Sequence, residues 1–246
     1  MLIAFAGFYL FVYLGRFNFW PVAPLIKQEL QLTYLDIGII NAFLLWGFCL
    51  GDLVHGRLSE IYGFRVWVLL GAIFTTILNW ATSFGISLWT IAIPYGFVGF
   101  VNAACWSPAV SMISQWWPRR ERGLALGIVG TASGAAMLLM WWVTGWIGVE
   151  FGWRYAFRYP PIVILLAGIA FFLLVRDRPT DVNLPEYSED DPVSAVPEAY
   201  TNDKLKGLGP YKVLLSNPRF HIASHVKGLE NVVKYGLTTW IPIYYF

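Results

Sequence analysis

Charge is scarce in this sequence. Only 13% of its 246 residues are Asp, Glu, Lys or Arg, while 57% are hydrophobic. That is about half the charged share of an ordinary soluble domain. The stretches 66–118, 123–149 and 159–175 carry no charged residue at all. Apolar runs of this length do not fit inside a water-soluble core of this size, which excludes a soluble globular domain and a disordered chain. Cysteine is rarer still: Cys49 and Cys105 are the only two, both in apolar runs, so a disulfide framework is excluded and buried free thiols in helices are expected. The three histidines, His55, His221 and His225, lack metal-ligand spacing, so neither a metal site nor a cofactor is expected. No G-x-x-x-x-G-K-[ST] loop occurs, which speaks against ATP-driven work. No Ser–His–Asp or paired-carboxylate constellation stands out, so the chain does not read as an enzyme, and no nucleic-acid partner is expected. The runs are long and do not alternate, which disfavours a β-barrel.

What remains is an all-α membrane protein. Seven hydrophobic segments fall at about 1–26, 37–54, 66–83, 87–114, 123–147, 158–175 and 220–246. Each approaches the roughly 20 residues that cross a bilayer. The connections are short except for 176–219, which is rich in Asp, Glu, Pro and Ser and has a flexible linker's composition. The expected domains are a six-helix bundle over 1–175, a linker over 176–219 and a seventh helix over 220–246. The first segment begins at Met1 without a hydrophilic leader and the last stops at Phe246, so the expectation is a chain cut at its ends.

Lysine and arginine set the expected orientation. The connections after segments 2, 4 and 6 hold eleven of them, from Arg57 to Arg219, and those after segments 1, 3 and 5 hold only Lys27, Arg154 and Arg158. The positive-inside rule therefore places the even-numbered loops and the linker in the cytoplasm. The expected location is multi-pass in the plasma (inner) membrane, with the lipid bilayer as a partner.

The loop between segments 2 and 3 reads GRLSEIYGFR, residues 56–65. Gly56, Glu60, Gly63 and Arg65 fall on the spacing G-x-x-x-(D/E)-(R/K)-x-G-x-(R/K), with Ile61 where a basic residue is usual. This resembles the signature loop of the major facilitator superfamily. The two glycines permit close helix ends and a tight turn, and the acid and base form a charge cluster at a gate. Segment 1 contains YLGRFNF (13–19), segment 4 ends CWSPAVSMISQWWPRRERG (105–123), the linker starts RDRPTDVNLPEY (176–187) and segment 7 reads KYGLTTWIPIYY (234–245). Together these resemble the organophosphate:phosphate antiporters, which include glycerol-phosphate and hexose-phosphate transporters. The resemblance implies one half of such a transporter plus the seventh helix, with a second six-helix bundle as its missing partner.

Arg16 is the first candidate for substrate. An arginine within an apolar segment is costly and faces a cavity or a partner. Its planar fork matches two phosphate oxygens at once. The resemblance gives it the substrate phosphate. A structural ion pair or a side chain reaching the outer interface are the alternatives. Tyr13 lies one turn earlier and shares a face with it; Asn18 joins the site on the resemblance alone. Lys234 stands where the family usually has arginine, keeping the charge and losing the fork. Lys227, Glu230 and Lys234 share one side of a helix, so Glu230 either neutralises both lysines or leaves Lys234 for substrate. Trp106, Trp240 and Tyr244 match aromatic positions of the family. Ser133 stands where some members carry histidine, which argues against a histidine switch there. Segment 5 carries Gly127, Gly130 and Gly134 on a small-residue face suited to helix packing.

The function this implies is a secondary transporter exchanging an organic phosphate, such as a sugar or glycerol phosphate, for inorganic phosphate by alternating access. A proton-coupled organic-anion symporter of the same fold, using an acid such as Glu230, and a transporter-like sugar-phosphate sensor remain open.

Overall fold

A computed structural model describes residues 2–106, 112–113, 116–183 and 215–245. In chain order the helices are α1 (Leu2–Arg16), α2 (Phe19–Glu29), α3 (Tyr34–Tyr62), α4 (Phe64–Ser83), α5 (Leu88–Asn102), α6 (Arg119–Phe151), α7 (Trp153–Ala156), α8 (Tyr159–Leu174) and α9 (Pro218–Tyr245). Short 3-10 turns cover Ala103–Cys105 and Pro179–Val182. Among the described residues six stretches are long and apolar enough to span a bilayer: Leu2–Glu29, Tyr34–Tyr62, Phe64–Ser83, Leu88–Cys105, Arg120–Phe151 and Trp153–Leu174. The chain divides into two compact units, residues 1–187 with Phe246, and 188–245. Much of the expected linker, residues 184–214, lies outside the described residues, as does part of the exit from segment 4 at 107–111 and 114–115.

Local chemistry sets the helix ends. Thr33 and Asp36 form a reciprocal cap on α3, satisfying amides that the first turn leaves unpaired. Ser87 and Thr90 do the same for α5. Pro160 and Pro161 open α8, where the missing N–H costs nothing.

Three sequence expectations need correction. The first segment is not one helix: it breaks at Phe17–Asn18, between α1 and α2. The signature stretch 56–65 is not a loop either. Apolar periodicity fades where α3 leaves the apolar layer, but helix continues through Arg57, Ser59 and Glu60 and stops only at Gly63, whose φ of +91° suits a residue without a side chain. Cys49 is exposed rather than buried, while Cys105 is buried; both are free thiols. The seventh segment is helical as α9 but is absent from the six spanning stretches, because Lys227, Glu230 and Lys234 dilute its apolar content.

Side-chain bonds gather the helix ends into two sets. At one end Glu29 pairs with Arg154 and accepts from Trp153 Nε1 at 2.9 Å, while Arg154 Nη2 lies 3.4 Å from Gly85 O. At the other, Arg65, Trp116 and Asp177 interlock with Phe172. Alternate connections thus meet at the same end, as an up-and-down bundle requires. The charge count makes the Arg65 end the inner one.

The tightest packing joins α3 to α5. A Cβ added to Gly47 would strike Gly96 O, one on Gly99 would strike Leu44 O, and one on Gly51 would strike Phe100 O and Ala103 Cβ. Backbone meets backbone, the usual way that small residues associate helices in lipid. The glycines of α6 behave differently: among the described residues, nothing lies within 4 Å of a Cβ added to Gly127, Gly130 or Gly134.

Candidate functional site

The first span turns a row of aromatic side chains toward one side at four-residue spacing. Tyr9, Tyr13 and Phe17 form a ladder with centroids 5.7 and 5.0 Å apart. Trp106, just past the 3-10 turn that ends the fourth span, joins it at 4.9 Å from Tyr9. Trp20 continues it on the other side of the break, stacked on Phe17 at 4.1 Å. Arg16 closes α1 beside this ladder, near the middle of the span Leu2–Glu29.

Arg16 is buried, at 4% exposure. Its guanidinium carbon lies 3.4 Å from the centre of the Phe48 ring and 4.6 Å from that of Phe17. Its Nε has no hydrogen-bond partner among the described residues. Among the described residues no carboxylate lies within ion-pair distance of it. Desolvated cation–π contacts offset up to about 2 kcal/mol each, but they supply no acceptor oxygen. An arginine so placed keeps donor capacity that no described carboxylate takes up. Of the sequence candidates, Tyr13 and Trp106 both meet Tyr9 in the ladder, and Arg16 meets the ladder at Phe17. The structure does not bring Asn18 to the guanidinium. The Asn18 side chain is fully buried the other way, donating to Asn79 Oδ1 at 2.8 Å and to Ala156 O at 3.1 Å.

Within α9, Glu230 pairs with Lys227 at 2.8 Å, not with Lys234. The Lys234 ammonium has no ion pair among the described residues and lies 5.7 Å from the centre of the Tyr235 ring. Trp240 and Tyr244 follow on the same helix, one turn apart.

At the gate sequence, Glu60 pairs with Arg57 at 2.9 Å and Gly56 O accepts from Ser59 Oγ at 2.8 Å. The Arg65 guanidinium is spent on Phe172 O, at 3.1 Å from Nε and 2.6 Å from Nη2. Asp177 Oδ1 accepts from Arg65 N at 2.8 Å and so caps α4. Its other oxygen would lie only 2.9 Å from a Cβ added to Gly63. A polar cavity of about 380 Å³ opens beside Glu60, Gly63, Asp177 and Asp181. Sequence reasoning passed over Asp177, reading it as linker, and over Asn79 and Tyr95. The available signal was a lone asparagine within the apolar run of α4.

The sequence pattern of the Major Facilitator Superfamily matches residues 5–246. The chain belongs to that superfamily. The phosphoglycerate transporter protein of Salmonella typhimurium is 24% identical over 261 residues, covering 99% of this chain and 55% of that protein. The membrane sensor protein UhpC of the same organism is 26% identical over 248 residues, covering 97% and 54%. The chain thus spans about half the length of the curated relatives it matches. Among solved structures, a bacterial homolog of the human lysosomal transporter Spinster superposes with a TM-score of 0.71 at 19% identity, over 98% of this chain and 54% of that one. That likeness shows the shared helical fold. Membership in the superfamily and the six apolar stretches make this chain a multi-pass integral membrane protein.

Proposed function

We propose that this chain is the phosphate-gripping half of a secondary active transporter that exchanges an organic phosphate for inorganic phosphate. The observation that carries this reading is the buried guanidinium of Arg16 at mid-span, with no carboxylate in ion-pair distance among the described residues. The named phosphoglycerate relative supports an organic phosphate as cargo. Arg16 grips the phosphate oxygens, and Tyr13 and Trp106 line the approach. On the separate unit that holds α9, Lys234, with Trp240 and Tyr244 on its helix, offers a further cation for the same class of anion. A buried cation without a counter-charge favours the anion-bound state, which lowers the barrier to alternating access when cargo is loaded. Asn18 serves this site through the helix break rather than by touching cargo. Gly56, Glu60, Gly63 and Arg65, with Glu230, act in gating. A second six-helix bundle completes the site.

Pairing of Glu230 with Lys227 counts against a proton-coupled symporter that relies on that acid. A sensing role is the second reading, favoured by the likeness to the UhpC sensor. The test is uptake of labelled inorganic phosphate by the intact gene product in proteoliposomes, with and without phosphate inside. Uptake that requires internal phosphate supports exchange. Uptake driven by a pH jump alone refutes it in favour of symport, and binding without uptake refutes it in favour of sensing.

A further inference from the structure

The break at Phe17–Asn18 interrupts the hydrogen-bond ladder of the first span beside its one buried cation. Trp20 N bonds to Phe17 O at 3.1 Å instead of reaching Arg16 O, as a continuous helix would require. In lipid each freed carbonyl must find a donor inside the protein. Gly15 O takes Asn79 Nδ2 of α4 at 2.9 Å. Arg16 O takes the Tyr95 hydroxyl of α5 at 2.8 Å. Both donors are fully buried.

We propose that Asn79 and Tyr95 are positioning residues for Arg16, fixing its backbone from two neighbouring spans so that its guanidinium stands ready for anion without an ion pair. This rests on the reading of Arg16 as the phosphate grip. Each donor is itself anchored. Asn79 Nδ2 also bonds to Thr75 O at 2.8 Å, and Asn79 Oδ1 accepts from Asn18, which ties it to Ala156 O across the bundle. The Tyr95 ring is held between Phe19 at 5.5 Å and Phe157 at 5.8 Å. Gly15 is pressed so closely that a Cβ there would strike Ile164 and lie 3.2 Å from Thr75. An arginine side chain is long and flexible. Fixing the carbonyls at and just before it removes backbone freedom that substrate binding would otherwise have to remove. A continuous helix would need none of these side chains, so the break and its two donors form one device beside the site.

The test is exchange of labelled inorganic phosphate by the intact gene product in proteoliposomes. Tyr95→Phe removes one oxygen and keeps the ring packing; Asn79→Leu removes the amide at similar size. Each should raise KM for phosphate about three- to tenfold, the size of one net hydrogen bond, with kcat little changed. Asn79→Gln, which keeps the amide, should fall between Asn79→Leu and the unaltered protein. Thr76→Val is the control: Thr76 Oγ1 is buried one turn away and bonds to Ala72 O and Pro161 O without touching the break. It should lower the melting temperature and leave KM alone. KM values for Tyr95→Phe and Asn79→Leu equal to that of Thr76→Val would overturn the proposal. Should Asn79→Leu fail to fold, Tyr95→Phe decides. An unchanged KM in Arg16→Gln, or no phosphate exchange by the unaltered protein, would remove the phosphate grip itself and the positioning role with it.

Discussion

Arg16 and Arg65 are the same side chain in opposite circumstances. Arg65, at the inner end of the bundle, has its backbone N–H on Asp177 and its guanidinium on Phe172 O, with the Phe172 ring 4.6 Å from its carbon. Arg16, at mid-span, has two rings and, among the described residues, no acceptor for its Nε. The satisfied arginine serves the packing of its end of the bundle rather than cargo, because removing its side chain leaves the Phe172 carbonyl unpaired. The unsatisfied one carries binding capacity that the fold does not use. The contrast teaches that charge within an apolar segment is not enough to name a site; what distinguishes the site is the donor left over.

The largest expected effect breaks the comparison on the Arg16 side. Arg16→Gln should lower phosphate affinity at least tenfold, from loss of a charge-assisted contact of about 1.5–3 kcal/mol, while folded yield in detergent stays near that of the unaltered protein. Calorimetric titration of the intact gene product decides it, and an unchanged affinity would return Arg16 to a structural role. Arg65→Gln should do the reverse. It removes both donors on Phe172 O, costs about 1–2 kcal/mol of stability and lowers the melting temperature, while phosphate affinity holds. A fall in affinity matching that of Arg16→Gln would erase the distinction. Asp177→Asn should be milder. The amide oxygen still accepts from Arg65 N, and only the charge at the start of α4 is lost, about 0.3–1 kcal/mol; a small drop in melting temperature is the readout. Lys234→Arg is the smallest: charge is kept and a fork is gained, so affinity should move by less than about threefold, on the order of half a kcal/mol. A loss beyond tenfold would show that Lys234 serves by its compact shape rather than its charge.

Arg16 was legible because a lone cation in an apolar segment is visible from composition. The bundle was legible for the same reason: long uncharged runs have one physical use. The break at Phe17–Asn18 was hidden, because its donors, Asn79 and Tyr95, lie far along the chain. Asn18 is read correctly only once Asn79 is opposite it. The signature stretch looked like a loop because hydropathy reports the edge of the apolar layer, whereas Gly63, with its positive φ, reports the end of the helix. Asp177 was invisible as a partner because its contacts are to a backbone amide, and sequence carries no mark of which amide a carboxylate will cap. The pairing choice of Glu230 was open at the level of spacing and needed side-chain geometry.

The contact of α3 with α5 has a mechanical consequence. Two helices that touch through glycines have no side-chain layer between them to shear or compress, so the pair moves as one stiff plate. Phe48, beside Gly47, and Trp106, beyond Gly99, are mounted on that plate. Arg16 hangs from the span that is broken. The aromatic face of the site is thus an anvil of fixed shape, and the cation is pinned to it at its backbone, where Tyr95 of α5 holds Arg16 O.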